Sequence, residues 1–360
     1  MTSDIPSNQL NFEVLGEIFG HLIAGHYGTL ELRAVLLVSR SWNAAAIQHP
    51  HLWTSIKLNV WFYAHFYELG APVAALFVRS CLERSAALHF DLVLNFEDLY
   101  CPPKPIALSR KELDAWVSRA AEQARNVLKV LAEHIIRCKS LALHLSYPMN
   151  IVFVLSYFPA TLDQLKFLSI NKFDYVSRYL TLRELPCPAL EHVSYSNLGP
   201  GYRHFIPSES LKVLELYNDH YWADTDLAPI SAWSRSIRIL KLRCAAWDPK
   251  GNQFGGHDEE PKEPIALTNL ETLEIEGLVP RGFLALLRAP MLRHLYIRSY
   301  DAHREHSMAE LVSTLVHKHA RTLLVELNSR PEVGWETVYN NLVVDMPNLE
   351  DARVVVKGVS

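Results

Sequence analysis

Histidine, cysteine and paired carboxylates are the side chains here able to do acid–base, nucleophilic or metal chemistry, and their spacing limits what they can do. The 17 histidines are scattered. "HREH" (His303–His306) misses the inverted zincin order HxxEH by one residue. "HKH" (His317, His319) points its rings about 200° apart on a helix, or to one side of a strand. The five cysteines, Cys81, Cys101, Cys138, Cys187 and Cys244, form no CxxC pair and no zinc-knuckle spacing. Glu274 and Glu276 stand two apart on a strand-like segment, which puts both on one side of a sheet. A catalytic acid pair also needs a pocket that separates the two pKa values, so a solvated sheet face answers this pattern better. GxxxxGK[S/T], GxGxxG, GxSxG and HExxH are absent. The expectation is no enzyme, no metal and no cofactor. An unrecognised catalytic site would need a deep pocket lined by histidines or paired acids.

Composition narrows the remaining classes. A formal charge of −4 argues against nucleic acid as the main ligand, because phosphate binding draws on a basic surface. Hydrophobic residues make up 49% and charged residues 21%, ordinary values for a globular protein. At 360 residues the chain exceeds what one core usually serves, so two units or a repeat array are expected. The most apolar window, Asn59–Val78, carries Glu68, His65, Gly70 and Pro72, and is a poor membrane span. No signal peptide opens the chain, the cysteine count is odd, and no N-x-S/T acceptor occurs. These features predict an intracellular protein, in cytoplasm and/or nucleus, with no membrane association.

Two textures organise the chain. In "NFEVLGEIFGHL" Val14, Leu15, Ile18, Phe19 and Leu22 fall at helical spacing, with Glu13 and Glu17 opposite and Asn11 placed to cap the first turn. A second helix is expected through Leu32, Val35, Val38, Trp42 and Ala45, ending at His49-Pro50. "LWTSIKL" alternates like a strand, "APVAALFVRSCLERS" reads as a helix, and "CPPKP" as a connector. A long helix starts at the capping-box pair Ser109/Glu112. From residue 138 one pattern recurs: an anchor, two residues, an apolar residue, one residue, another apolar residue. It begins at Cys138, Leu165, Leu190, Leu211, Ile237, Leu270, Leu292, Thr322 and Leu349. LxxLxL at such periods predicts stacked leucine-rich repeats, each burying its apolar edge against its neighbours. The widest interval holds the acidic stretch 248–264, expected to be an exposed loop. The expected parts are a helical domain 1–56, a helical and strand connector 57–137, and a repeat region 138–360.

Strand alternation then predicts two outward rows. One holds Ser169, Ser194, Glu215, Lys241, Glu274, Tyr296, Glu326 and Arg353. The other holds Asn171, Tyr217, Arg243, Glu276 and Arg298. Charges of both signs and two tyrosines suit protein recognition. Glu215, Tyr217, Lys241, Arg243, Glu274, Glu276, Tyr296 and Arg298 are the candidate target-binding residues.

The stretch "NQLNFEVLGEIFGHL…LELRAVLLVSRSWNAAAIQHPHLWTSIKL" resembles an F-box of the large fungal F-box/leucine-rich-repeat-like family. Leu10, Glu13, Val14, Leu15, Ile18 and Phe19 match its first helix. Leu36, Val38, Trp42, Pro50, Leu52 and Trp53 match its later positions. Asn11 stands where that family usually has proline. The resemblance implies an α/β fold: an N-terminal helical F-box followed by an irregular leucine-rich-repeat-like α/β solenoid. It implies that Leu10, Glu13, Leu15, Ile18, Phe19, Leu22, Leu36, Val38 and Trp42 dock on the adaptor subunit of a cullin-type (SCF) ubiquitin ligase, while the repeats bind a target protein. The family's asparagine after each strand is missing, replaced by Phe173, Leu198, Asp219, Ala245, Leu278 and Tyr300, which predicts less regular turns. An alternative stays open: the helices only cap a repeat scaffold. Burial of Leu10, Leu15 and Phe19 by the chain itself goes with a cap. A contiguous exposed apolar patch goes with docking.

Overall fold

A computed structural model describes residues 11–23, 32–59, 73–96, 109–145, 151–172, 184–196, 205–207, 209–218, 230–231, 233–244, 264–277, 287–299, 320–327 and 348–356. The chain is mixed α/β, and its long strands are all parallel in the pairs described. It divides into two compact units. The first is Met1–Asp174 with Leu185–Cys187; the second is Tyr175–Glu184 with Pro188–Ser360. No helix among the described residues is long and apolar enough to cross a membrane.

In the first unit, helix α1 spans Phe12–Ile23. The Glu13 amide donates to Asn11 Oδ1 at 3.3 Å, so asparagine serves as the cap. The expected second helix is two: α2, Leu32–Val38, and α3, Arg40–Gln48. Ser39 breaks them. Its backbone is extended and its hydroxyl oxygen accepts from the Trp42 amide at 3.1 Å, which caps the start of a new helix. A 3₁₀ turn, Pro50–Trp53, leads into strand β1, Ser55–Asn59. Helix α4 (Val73–Arg84), strand β2 (Phe90–Asn95), helix α5 (Arg110–Ala132), strand β3 (Cys138–Leu145), helix α6 (Ile151–Leu155) and strand β4 (Phe167–Lys172) follow. Helix α5 opens with the expected capping box between Ser109 and Glu112. The four strands pair parallel in the order β1-β2-β3-β4, burying Ile56, Leu58, Leu92, Leu94, Leu141, Leu143, Leu168 and Ile170.

The parallel series therefore begins before residue 138. Ser55 pairs with Asp91 and Asp91 with Ser140. This makes "WTSIKL", with buried Trp53, Ile56 and Leu58, an earlier instance of the same anchor pattern.

The first unit also holds the short strand β5 (Leu185–Cys187). The second unit carries β6 (His192–Ser196), β7 (Phe205–Pro207), β8 (Val213–Asn218), β9 (Ile239–Cys244), β10 (Ile265–Ala266), β11 (Thr272–Gly277), β12 (Leu287–Arg288), β13 (His294–Ser299), β14 (Thr322–Leu327) and β15 (Asp351–Val356). Seven of these, β6-β8-β9-β11-β13-β14-β15, form a parallel series. All nine recurrences of the anchor pattern contain a strand. Anchors Leu190, Leu211, Ile237, Leu270 and Leu292 are buried, as are the alternate strand positions Leu214, Leu216, Leu240, Leu242, Leu273, Ile275, Leu295 and Ile297. The pattern also reaches three residues upstream. Leu267 and Ala289 are buried, and their carbonyls accept from the amides of Leu270 and Leu292.

One register differs from expectation. Thr322 pairs with His294, so it is the first strand residue and buried Ala320 is the anchor. Glu326 consequently pairs with Arg298, in the second outward row, and Leu324 takes its place in the first.

Candidate functional site

Helix α1 is apolar on two neighbouring sides. Leu15, Phe19 and Ile23, four apart, are buried against the other helices. Val14, Ile18 and Leu22, also four apart, are exposed at 42–47%. A residue step of about 100° separates the two rows, so one row faces the unit's own core and the other faces outward. Gly16 permits the close approach behind the buried row: a Cβ there would stand 2.7 Å from the His49 ring. The same ring sits with Nε2 2.8 Å from the Phe12 carbonyl oxygen.

The other two helices repeat the division. Leu32, Val35, Ala45 and Ala46 are buried; Leu37, Val38 and Ile47 are exposed, Leu37 at 87%. Leu36, Leu37, Asn43, Ala44 and Ile47 line an open groove along α2 and α3. The Asn43 side chain donates to the Leu36 carbonyl at 3.3 Å, joining the walls. Trp42 is half-buried, its ring 5.3 Å from that of Phe19. Trp53 is core: its Nε1 donates to the Ala46 carbonyl at 2.8 Å and the Arg84 guanidinium lies over its ring.

The candidate docking residues thus separate. Leu15 and Phe19 build the core, Trp42 straddles core and surface, Leu36 lines the groove, and Ile18, Leu22 and Val38 point outward with Glu13. Val14, Leu37 and Ile47 belong with the exposed set. Leu10 lies outside the described residues.

In the second unit, register aligns the outward residues. One row runs Ser194-Glu215-Lys241-Glu274-Tyr296-Leu324-Arg353, and the next Ser196-Tyr217-Arg243-Glu276-Arg298-Glu326-Val355. Charges alternate from strand to strand and pair across them. Lys241 Nζ lies 2.7 Å from Glu215, Arg243 bonds Glu276, and Arg298 reaches Glu274 at 3.1 Å and Glu326 at 3.4 Å. His192 stands 3.5 Å from Glu215. The imidazole of His192 and then the Lys241 ammonium hold the Glu215 carboxyl down to about 2, against the pull of partial burial. Arg243 also lies over the Tyr217 ring, and Tyr296 stacks on His294. Arg353 pairs with Asp351 on its own strand. All eight candidate target-binding residues lie in these two rows.

Two other features bear on chemistry. Cys81, Cys138 and Cys187 are buried free thiols. Burial pushes Cys138 far up and Cys187 to about 12, which makes both poor nucleophiles. Glu274 and Glu276, the spaced acid pair, each pair with a guanidinium on a neighbouring strand. The histidine clusters 303–306 and 317–319, the stretch 248–263, and the turn positions Phe173, Leu198, Asp219, Ala245, Leu278 and Tyr300 lie outside the described residues. A scan against protein-family models finds no match for this chain, and a search of curated proteins finds none.

Proposed function

We propose that the chain is the substrate-recognition subunit of a cullin-type ubiquitin ligase, acting inside the cell. In this reading α1–α3 are an F-box and the strand series is an irregular leucine-rich-repeat-like solenoid. The helices dock on the adaptor, and the paired-charge rows receive the target protein. The chain makes and breaks no bond itself; it raises the effective concentration of a target lysine near the conjugating enzyme.

The observation that carries the adaptor half is the double apolar character of the helices. Leu15, Phe19, Ile23, Val35, Ala45 and Ala46 already complete a core. Val14, Ile18, Leu22, Leu37, Val38 and Ile47 are then surplus to folding, and exposed apolar side chains grouped on few elements mark contact surfaces. Burial of Leu15 and Phe19 favours the second reading, a capped scaffold, because a cap needs those residues inside. That reading leaves the surplus set without a role.

Co-purification from cells tests the proposal. The full chain should recover the adaptor and cullin. Ile18→Asp and Leu37→Asp should each lose them while keeping the thermal midpoint. If the unaltered chain recovers no adaptor, the proposal fails and the scaffold reading stands. Leu15→Asp is not informative, since it places a charge in the core.

A further inference from the structure

The outward rows of the second unit are layered. The four acids Glu215, Glu274, Glu276 and Glu326 are sunk against the sheet, with side-chain exposures of 12–29%. Their partners Lys241, Arg243 and Arg298 ride above them at 40–54%. The rows are close to neutral by count, but a molecule approaching the face meets ammonium and guanidinium groups first. A guanidinium carries five N–H donors in a planar fork, more than one carboxylate can take. A carboxylate arriving from outside can therefore join Glu276 at Arg243, and Glu274 and Glu326 at Arg298.

Register fixes the spacing of these cations. Arg243 on β9 and Arg298 on β13 share one row, with Glu276 of β11 between them. Two strand spacings of about 4.8 Å put them about 10 Å apart. Residues three apart in an extended peptide are also about 10 Å apart, at roughly 3.3 Å each. Tyr217, beneath Arg243, and Tyr296, two residues before Arg298 on β13, supply flat apolar contact beside the charges.

We propose that this face binds an extended acidic peptide, carboxylates about three residues apart, laid across strands β9 to β13 over Arg243 and Arg298 with Lys241 beside them. This deepens the target half of the proposed function and rests on it only for its biological meaning. The chain's −4 formal charge opposes such a ligand at long range, but screening limits that effect to about 8 Å at physiological salt. A phosphate backbone fits less well, because its unbroken charge would also press on the sunken acids.

Fluorescence anisotropy with the full chain tests the inference. The probes are a labelled twelve-residue peptide with glutamate at every third position among glycine and serine, the same peptide with glutamine, the same with lysine, and a single-stranded oligonucleotide. The glutamate peptide should bind, more weakly as salt rises, and the other three should bind at least roughly tenfold more weakly. Arg243→Ala and Arg298→Ala should each lower affinity about fivefold or more. Lys212→Ala and Arg321→Ala, exposed cations paired with Glu191 and Glu350 ahead of the strands, should leave it unchanged. Glu276→Gln removes the carboxylate that competes with the peptide at Arg243 and should tighten binding, which keeps the test decisive if an arginine variant fails to fold. The inference is overturned if the glutamine peptide or the oligonucleotide binds as well as the glutamate one, or if the control substitutions act like the arginine ones. Adaptor recovery uses other residues in the other unit, so either proposal can fail without the other.

Discussion

At the scale of single residues, position in the core decides the effect. Gly16 and Gly20 lie four apart on α1 in different surroundings. A methyl at Gly16 meets the His49 ring, whereas nothing lies within 4 Å of one at Gly20. Gly16→Ala should lower stability by about 1–3 kcal/mol through overpacking, and Gly20→Ala should raise it by about 0.5–1 kcal/mol through helix propensity. Opposite shifts of the urea midpoint check the pair; shifts of equal sign would contradict it. Glu215 gives a pH prediction. Its carboxyl is lowered from 4.5 to about 2, so its stabilising contribution is complete above 4.5 and is lost as pH falls towards 2. Lys241→Met removes one cause of that lowering. The variant should therefore lose less stability than the unaltered chain between pH 5 and pH 3, read as the change in thermal midpoint. Residue types and spacing made the charged rows legible, because strand alternation is strict. They did not reveal that the acids lie under the bases; that depends on side-chain length and on which strand neighbours which.

Element boundaries follow local chemistry wherever that chemistry is strong. Asn11 and the Ser109/Glu112 box start α1 and α5 as their types predict. Ser39 was hidden inside an apolar period that reads as one helix, yet its hydroxyl caps α3. Ser39→Ala should cost about 0.5–2 kcal/mol and Ser39→Asp should largely keep the cap, a contrast measurable by denaturant midpoints. Periodicity named the apolar residues of α1 but not their division, since two four-spaced rows read as one broad stripe. At β14 the register was ambiguous for a related reason. Leu323, Val325 and Leu327 all fall on one face, so a slip of two residues keeps the same phase and leaves the pattern intact.

Across the whole molecule, the recurring anchor pattern makes the parallel strand series readable from residue 138; ahead of it the anchor of β1 is Trp53, and in β2 the register shift between Phe90 and Asp91 shortens the spacing by one residue. Arg137 shows how the first unit joins helix to strand. Its guanidinium donates to the Leu82 and Leu88 carbonyls at 3.1 and 3.0 Å and to that of Ala86, gathering carbonyls at and beyond the end of α4 just ahead of β3. A cut after residue 56 removes Trp53, Leu52 and Ile56 from this same core. A chain starting at 57 should thus show a lower thermal midpoint as well as no adaptor binding. An unchanged midpoint would mean the helices are an independent appendage. Titration calorimetry of the purified adaptor against the full chain shows whether the exposed apolar set of α1–α3 is an adaptor surface. Binding to the unaltered chain should be saturable, and should be lost in the Ile18→Asp/Leu37→Asp variant at an unchanged thermal midpoint. No heat of binding to the unaltered chain, or equal binding by the variant, would contradict an adaptor role for these residues.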